Sequence, residues 1–353
     1  MPHPIQKPIL IAGGGLASLL LAQALRRAAI PFRIYERDHS FSFRAQGYRL
    51  RLSSLGLDAI ENVLGKDDFS AFWNICSKTG GGGMTALDAL TGLELATGPK
   101  PEAKSSGPPP GLQSRDGKVV GISRGAMREH FLRGCESSVE LAHEVTGYEI
   151  TPTGVRALFA DGTKSTEGEM LVGGDGLRSS VAKQLSKGKL GAFDTGARII
   201  HGQAPVSAFD GLGEGVWRIV DKSRSDGEVF IITNVRPGDG EATFGWSMGA
   251  QPGVIDMPSE GEAIIGTSAA SIARSLAERW HPRVKPLVEQ MVDTEAAFWK
   301  VTCSNPTGVP DWRNEKRVTV IGDAVHSMTP AGKCYAIACS RNIMLMLDRR
   351  TRS

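Results

Sequence analysis

The chain has 353 residues, 41% hydrophobic and 22% charged, a composition typical of a soluble globular protein with two or three packing units. The 41 Lys and Arg residues nearly balance the 38 Asp and Glu residues, for a formal net charge of +3, so charge gives no support to nucleic-acid or anionic-membrane binding. The 43 glycines predict tight turns and close approach of backbone to a ligand.

The cysteine pattern and the N-terminus bear on the compartment. Five cysteines without CxxC spacing are interpreted as reduced structural thiols: Cys76, Cys135, Cys303, Cys334 and Cys339. The apolar stretch after Lys7 resembles a signal peptide, but Gly13, Gly14 and Gly15 would break its helix. No later stretch approaches the roughly 20 apolar residues of a membrane span. We therefore expect a soluble cytoplasmic protein.

The N-terminal region has the pattern of a βαβ unit. Pro8 to Ala12 is a short apolar run, and three glycines separate it from Leu16 to Ala29, which is apolar all round. A second short run, Phe32 to Tyr35, closes on Glu36. Strand, tight turn, buried helix and strand predict two parallel strands in one sheet.

The middle of the chain mixes short predicted elements. The glycine- and proline-rich tract from Gly80 to Gly111 predicts a pair of short strands with a mobile loop. Gly121 to Gly134 is interpreted as an amphipathic helix. Val139 to Glu149 and Gly154 to Ala160 are predicted strands, and Ala160-Asp161-Gly162 is a hairpin signal.

The later part predicts an antiparallel sheet, a helical region and a final buried strand. Three alternating segments form the predicted sheet: Val216 to Val220, Val229 to Val235 and Thr243 to Met248. Ser268 to Met291 reads as helix interrupted at Pro282 and Pro286, and Arg317 to Ile321 as a strand. The predicted fold class is therefore α/β, a Rossmann-like nucleotide-binding domain with an inserted α+β domain built on an antiparallel sheet. Residues 1–75, 113–186 and 312–353 are assigned to the first domain, and residues 76–112 and 187–311 to the second, substrate-binding domain.

The first glycine motif predicts a nucleotide site. Gly13-Gly14-Gly15-Leu16-Ala17-Ser18 is a GxGxxG variant in which backbone approaches a pyrophosphate at a helix N-terminus. Ser18 replaces the glycine that allows close helix–strand packing. Glu36 is placed to accept hydrogen bonds from both ribose hydroxyls, which favours FAD or NAD. Arg37 keeps NADP open, because an arginine can hold a 2′-phosphate.

Two later segments complete a family pattern. Residues 171–181 read LVGGDGLRSSV and residues 320–330 read VIGDAVHSMTP. With the first motif, in this order, the chain resembles the FAD-dependent aromatic-hydroxylase-like monooxygenases, the class A flavoprotein monooxygenases. QGYRLR at 46–51 and SRGAMR at 123–128 look like the family's early glycine turn and arginine helix. The resemblance extends to about Gly332.

The resemblance implies an FAD enzyme of secondary metabolism with NADPH or NADH as reductant. Reduced flavin would react with O₂ to a C4a-hydroperoxide, which hydroxylates or epoxidises a small aromatic or polyketide-like metabolite. The implied FAD-binding residues are Gly13, Gly15, Glu36, Arg37, Gln46, Gly47, Arg124, Arg128, Asp175, Gly322, Asp323, Pro330 and Gly332. No metal site or Ser/His/Asp triad is needed.

Several of these residues have assigned roles. One or both of Arg124 and Arg128 would reach the FAD pyrophosphate. Asp323 would accept from a ribityl or ribose hydroxyl, with a plain N-cap as the alternative, and His326 would serve packing and hydrogen bonding. Arg49 or Arg51 is the candidate group facing flavin or substrate, with a surface role as the alternative.

The resemblance also places the substrate between the flavin and the sheet of the second domain. Five residues are candidate pocket walls, with core packing as the alternative: Trp217, Phe230, Phe244, Trp246 and Met248.

After Gly332 the sequence departs from the family, where a glycine-rich GxGxNxAxxDA segment and further helices would follow. Lys333 to Ser353 instead predicts weaker FAD binding and impaired turnover, as in a truncated product, with a functional variant tail that packs in its own way as the alternative. Two alternatives to a monooxygenase stay open. One is a related flavin oxidoreductase, a halogenase or prenyl-chain reductase, although the halogenase signature W-x-W-x-I-P is missing. The other is a nucleotide-binding protein without turnover.

Overall fold

The structure is a computed structural model that describes residues 7–41, 49–80, 84–95, 114–236, 242–255, 264–304 and 308–327. Within these ranges, no helix is long and apolar enough to cross a membrane. Cys76, Cys135 and Cys303 are free thiols. Burial raises the pKa of the first two to about 11, so both stay protonated and unreactive at neutral pH.

A five-stranded parallel sheet organises the first part of the fold. Its order is β17-β10-β1-β2-β7, where the strands are β1 (Ile9–Ala12), β2 (Phe32–Tyr35), β7 (Val139–Glu140), β10 (Met170–Gly173) and β17 (Val318–Val320). β1 pairs in parallel with both β2 and β10. The predicted βαβ unit and the late buried strand are confirmed.

Both faces of this sheet are covered, which explains why its strands are continuous apolar runs. Ile9 and Ile11 belong to a core that includes helices α1 (Leu16–Arg27), α2 (Ser54–Leu64), α3 (Lys66–Ile75) and α4 (Arg124–Leu132). Leu10 and Ala12 point the other way, toward the hairpin β8 (Val145–Ile150) and β9 (Val155–Phe159), helix α5 (Ser180–Leu185) and the single turn α8 (Asp323–His326). The predicted strand from Val139 to Glu149 is in fact two strands, β7 in the parallel sheet and β8 in the hairpin. The predicted strand from Gly154 and the turn after it are confirmed.

A small antiparallel sheet adjoins α4. It has the order β3-β6-β4, with β3 (Arg49–Leu52), β4 (Ser77–Gly80) and β6 (Lys118–Ser123). The predicted helix from Gly121 is wrong at its start, because the β-branched run before Ser123 continues as β6. The Ser123 hydroxyl accepts a hydrogen bond from the Ala126 amide at 3.2 Å, so it caps α4 and sets its first residue.

The second large sheet has seven strands in the order β15-β16-β11-β14-β13-β12-β5. They are β5 (Met84–Asp88), β11 (Phe193–Pro205), β12 (Gly215–Asp221), β13 (Val229–Val235), β14 (Thr243–Ala250), β15 (Ile264–Ile265) and β16 (Ala297–Cys303). The three alternating segments predicted to form an antiparallel sheet are confirmed as β12, β13 and β14. The predicted fold class, α/β with a second antiparallel sheet, is confirmed.

Two predicted regions differ in detail. The helical stretch from Ser268 contains α6 (Thr267–Leu276) and α7 (Pro286–Glu289), so helix is lost well before Pro282. Of the pair of short strands predicted in the glycine-rich tract, the described residues include β5, whereas β4 ends at Gly80, the first residue of the tract, and does not pair with β5. β5 pairs in parallel with β12, and residues 81–83 and 96–113 lie outside the described ranges.

Candidate nucleotide-binding site

Four loops meet at one edge of the parallel sheet. They follow Ala12, Tyr35, Gly173 and Val320, which end β1, β2, β10 and β17. Because these strands are parallel, their carboxyl ends lie side by side. Ligands of open α/β sheets bind outside this edge. The three sequence motifs and Glu36 therefore occupy the position expected of a binding site.

Gly13 is required by the fold itself. Its φ is +84°, a left-handed conformation that favours glycine, and its amide donates to the Tyr35 carbonyl at 2.8 Å. An added Cβ would lie 2.7 Å from the Gly174 carbonyl oxygen and 2.8 Å from the Asp175 Cα. The first motif is thus packed directly against the second.

Gly15 has a different environment. It is the N-cap of α1 with an extended conformation at φ −76°, which any residue adopts. An added Cβ would meet only the Gly174 carbonyl oxygen, at 3.8 Å. The described residues therefore leave room for a Cβ here, and close approach of a ligand to the backbone stays the predicted reason for this glycine.

Ser18 and Gly174 explain how the motif tolerates serine at its last position. Ser18 is fully buried in α1, and a Cβ on Gly174 would lie 2.2 Å from the Ser18 hydroxyl oxygen. The close helix–strand approach that normally needs a glycine on the helix is provided here by glycine on the neighbouring loop. The serine prediction is therefore consistent with the packing.

Glu36 lies in a compact hydrogen-bonded group. Its Oε2 accepts from the Gly14 amide at 2.8 Å and from Arg128 Nη2 at 3.1 Å. Its Oε1 accepts from the Asp38 amide at 3.0 Å. The side chains of Glu36 and Arg128 are 8% and 7% exposed. The sequence singled out both residues but not the contact between them.

The predicted arginines occupy three different positions. Arg128 contacts Glu36, and its Nε also donates to the Gly14 carbonyl at 3.0 Å. Arg124 is the first residue of α4. Arg37 is 47% exposed, and its Nε lies 3.7 Å from the Asp38 carboxylate. The NADP alternative assigned Arg37 to a 2′-phosphate, and this ion pair competes with that role.

Asp175 serves its own loop. Its carboxylate accepts from the Ser179 hydroxyl at 2.5 Å and from the Ser180 amide at 2.9 Å, so it holds the beginning of α5. Burial raises the pKa of Asp175, opposed by these hydrogen bonds. Its part in cofactor binding stays a prediction.

Asp323 differs from Asp175 because it is exposed. Gly322, with φ +61°, is the N-cap of α8 and makes no side-chain cap hydrogen bond. The alternative that Asp323 is a plain N-cap is therefore wrong, since it is the first helical residue. Within the described ranges, its carboxylate has no protein partner, so it can accept from a ligand hydroxyl. His326 packs at the other end of α8, and its Nε2 is buried without a hydrogen-bond partner among the described residues.

The remaining candidates lie on β3 or outside the described residues. Arg49 Nη2 donates to the Ser77 hydroxyl at 2.6 Å, which ties β3 to β4, while Arg51 is exposed. Gln46, Gly47, Pro330 and Gly332, together with the tail from Lys333, lie outside the described ranges. Their predicted roles stay predictions.

The pocket-wall prediction is wrong for four of its five residues. Trp217, Phe244, Trp246 and Met248 belong to the core that β11–β14 form with α6 and α7. Trp246 Nε1, for example, donates to the Leu287 carbonyl at 2.7 Å. Because side chains alternate along a strand, the opposite face carries Gly245, Ser247 and Gly249. Phe230 is on that face, since a Cβ on Gly249 would meet its ring.

His201 also lies on this opposite face, and sequence reasoning missed it. It pairs across strands with Ser247, and its ring is parallel to that of Trp299, 6.0 Å between centroids. Burial lowers the pKa of His201 to about 4. The imidazole is therefore neutral near pH 7. Cross-strand register, which needs the fold, is the signal that would have found it.

This burial predicts acid sensitivity. Between pH 6.5 and about 4 the unfolded chain binds a proton at His201 that the folded protein does not, so the free energy of unfolding should fall by about 3 kcal/mol over that range. His201→Phe keeps a ring beside Trp299 and removes the titration. Urea unfolding at pH 7 and 4.5 should give a smaller acid loss in the variant. Equal losses in both proteins would contradict the assignment.

Comparison with known proteins shows what this chain is similar to. No protein-family model matches the chain. A dual O-methyltransferase/FAD-dependent monooxygenase of Cercospora beticola is 28% identical over 92% of the chain, which spans only 40% of that relative. The aurachin C monooxygenase/isomerase of Stigmatella aurantiaca is 28% identical over 93% of the chain and 77% of the relative. The family resemblance found in the motifs is confirmed: the relatives are FAD-dependent monooxygenases.

The fold agrees with this result. A solved structure described as a putative FAD-containing monooxygenase from Photorhabdus luminescens superposes with a TM-score of 0.73, at 23% identity, covering 98% of this chain and 88% of that one. The likeness in fold thus covers both the parallel sheet and the antiparallel sheet. The chain spans about two-fifths of the length of the first curated relatives it matches.

Proposed function

We propose that the protein is an FAD-dependent monooxygenase that uses NADPH or NADH and O₂ to hydroxylate or epoxidise a small aromatic or polyketide-like metabolite. The observation that carries this is the convergence of Gly15, Glu36 and Asp323 at the carboxyl edge of one parallel sheet. The first offers open backbone, the second a carboxylate beside it, and the third a carboxylate with no protein partner in the described part of the chain. This set fits a ligand with a pyrophosphate and several hydroxyls.

The residues divide between the two halves of FAD. We assign Gly13 to Gly15 and the N-terminus of α1 to the pyrophosphate, Glu36 to the adenosine ribose, and Asp323 to a hydroxyl of the ribityl chain. Arg124 is the remaining candidate for a phosphate contact. When bound, FAD would accept a hydride from the nicotinamide and, once reduced, would activate O₂. The protein positions the substrate and excludes water.

The substrate class in this proposal rests on the relatives. These relatives include the Cercospora dual O-methyltransferase/FAD-dependent monooxygenase and the aurachin C monooxygenase/isomerase. On the face of β14 that carries Gly245, Ser247 and Gly249, the ring of Phe230 packs over Gly249 and the ring of His201 lies beside Gly245. Arg51, exposed on β3, stays a candidate for contact with flavin or substrate, as does Arg49.

The proposal is tested with purified protein that has been incubated with FAD and then separated from unbound FAD. We expect one flavin per chain by visible absorbance, and NADPH- or NADH-dependent O₂ uptake that an aromatic substrate stimulates. Flavin binding without O₂ uptake under any substrate would favour the nucleotide-binding alternative without turnover. O₂ uptake without oxygen in the product would favour another flavin oxidoreductase. Absence of flavin binding would contradict the whole assignment.

Asp323→Ala separates ligand binding from folding. Because the carboxylate is exposed and has no protein partner among the described residues, the midpoint of thermal unfolding without FAD should not change. The dissociation constant for FAD should rise about tenfold through loss of a charge-assisted hydrogen bond. Asp175→Ala is the matched comparison, since its carboxylate holds α5 and its loss should lower stability. An unchanged FAD affinity of Asp323→Ala would remove Asp323 from the site.

Two further expectations accompany this proposal. We propose the division into residues 1–75, 113–186 and 312–353 for the FAD-binding domain and 76–112 and 187–311 for the substrate domain. The cytoplasmic location expected from the sequence stays a prediction.

A further inference from the structure

Arg128 closes a ring of contacts around the Gly14 peptide. The Gly14 amide donates to Glu36, the Gly14 carbonyl accepts from Arg128 Nε, and Arg128 Nη2 donates to Glu36. Both polar groups of this glycine are thereby used by side chains that also bind each other. The ring of Phe41 lies 4.5 Å from the guanidinium carbon and covers the group. The first glycine turn is therefore held from α4 as well as from β2.

The position of α4 is itself fixed. The side-chain amide of Gln23 in α1 donates to the Phe131 carbonyl at 2.7 Å and to the Arg133 carbonyl at 2.8 Å. Gln23 is 2% exposed, so α1 and α4 are joined inside the core. Arg128 thus extends from α4, which is anchored to α1, and α1 begins at the glycine motif.

The contacts of Glu36 limit what its carboxylate can bind. A carboxylate has about four acceptor positions. Oε2 already accepts from Gly14 and Arg128, and Oε1 from the Asp38 amide. One position on Oε1 is left, so Glu36 can accept from one ribose hydroxyl rather than from both, as the sequence had suggested.

We propose that Arg128 is a positioning residue for nucleotide binding, which orients Glu36 toward a single ribose hydroxyl and makes no contact with the pyrophosphate. This rests on the proposed FAD function. It reassigns the role that the sequence gave to Arg128. The fork of the guanidinium suits the two acceptors, Gly14 oxygen and Glu36 carboxylate, which a lysine cannot contact in the same way.

The two roles for Arg128 predict different effects of its replacement on ligand affinity. A residue that acts through Glu36 affects only ligands that carry the ribose hydroxyl, and its effect disappears once Glu36 is changed. A residue that binds phosphate affects every ligand with the diphosphate, whether or not Glu36 is present. ADP and 2′,3′-dideoxy-ADP share the diphosphate and differ only in the hydroxyls, so they distinguish the two.

The experiment is titration calorimetry of ADP and 2′,3′-dideoxy-ADP into flavin-free protein, with the wild type, Arg128→Met, Glu36→Gln and the double variant. We expect Arg128→Met to raise the dissociation constant for ADP about tenfold and to leave that for 2′,3′-dideoxy-ADP within twofold of the wild type. In the Glu36→Gln background, Arg128→Met should not change the dissociation constant for ADP further. Of 2′-deoxy-ADP and 3′-deoxy-ADP, only one should bind the wild type less tightly than ADP. Arg33→Met, which removes an exposed arginine bonded to the Ser137 carbonyl, controls for the change in net charge and should bind ADP as the wild type does.

The proposal would be overturned, and the FAD assignment left standing, if Arg128→Met weakened the binding of ADP and of dideoxy-ADP equally. The same would hold if Arg128→Met weakened ADP binding equally in the wild-type and Glu36→Gln backgrounds. Unchanged binding of ADP would also overturn it. A wild type that binds neither ADP nor FAD would overturn both. If Arg128→Met does not fold, judged by near-ultraviolet circular dichroism, Arg128→Lys takes its place. It keeps the charge but not the fork, and we expect an intermediate loss for ADP alone.

Discussion

A Gly15→Val protein is expected to fold and to lose FAD. The glycine has an ordinary extended conformation, and a Cβ would meet only one atom, at 3.8 Å, so the free energy of unfolding without ligand should change by less than about 1 kcal/mol. The branched side chain would stand where a pyrophosphate approaches the backbone. Losing two hydrogen bonds to a charged ligand corresponds to about a hundredfold in the dissociation constant. Flavin absorbance after gel filtration and urea unfolding measure the two quantities.

Gly13→Ala is the matched control, because its effect should be the reverse. Its φ is +84° and the added Cβ would lie within 2.8 Å of backbone atoms of the second motif. Left-handed strain and overpacking together should cost about 2–5 kcal/mol of stability in the absence of any ligand. A Gly15→Val protein that is as unstable as Gly13→Ala would show that the fold, not the ligand, needs this glycine. One that keeps stoichiometric flavin would refute the site.

The sequence predicted those parts of the site whose signals are local. A strand, a glycine turn and a helix are adjacent in the chain, and Glu36 ends the next strand. Parallel pairing then brings these groups to one edge without further information. The same rule placed the GGDG loop after β10 and Asp323 after β17, so three of the four loops could be found from strand–glycine patterns alone.

The contacts that could not be predicted join distant residues. Arg128 is 114 residues from Gly14 and 92 from Glu36, and two arginines on one helix gave no indication of which would turn inward. The pocket-wall error has a similar origin. Alternation along β14 separates Trp246 from Ser247, but only the packing of α6 and α7 decides which face is buried. The larger aromatic side chains went to the covered face.

Glu36→Ala is expected to destabilise the protein as well as to weaken FAD. The change leaves the buried Arg128 guanidinium without this carboxylate, and breaking a buried ion pair from one side costs about 3–5 kcal/mol. The Gly14 amide also loses its acceptor. Urea unfolding without ligand should report the loss. Glu149→Ala, which breaks an exposed pair with Lys164, should change stability far less, because exposed ion pairs contribute little.

The double variant Glu36→Ala/Arg128→Met decides what that loss consists of. If most of it is the cost of a buried charge without its partner, replacing the arginine by an apolar side chain of similar length should recover about half of the stability. FAD affinity should not recover, because the acceptor for the ribose hydroxyl is still missing. If neither stability nor FAD affinity recovers, the loss comes from the Gly14 peptide without its Glu36 acceptor rather than from the unpaired charge on Arg128. Recovery of both would contradict the role of Glu36 in nucleotide binding, because the ion pair would then serve stability alone.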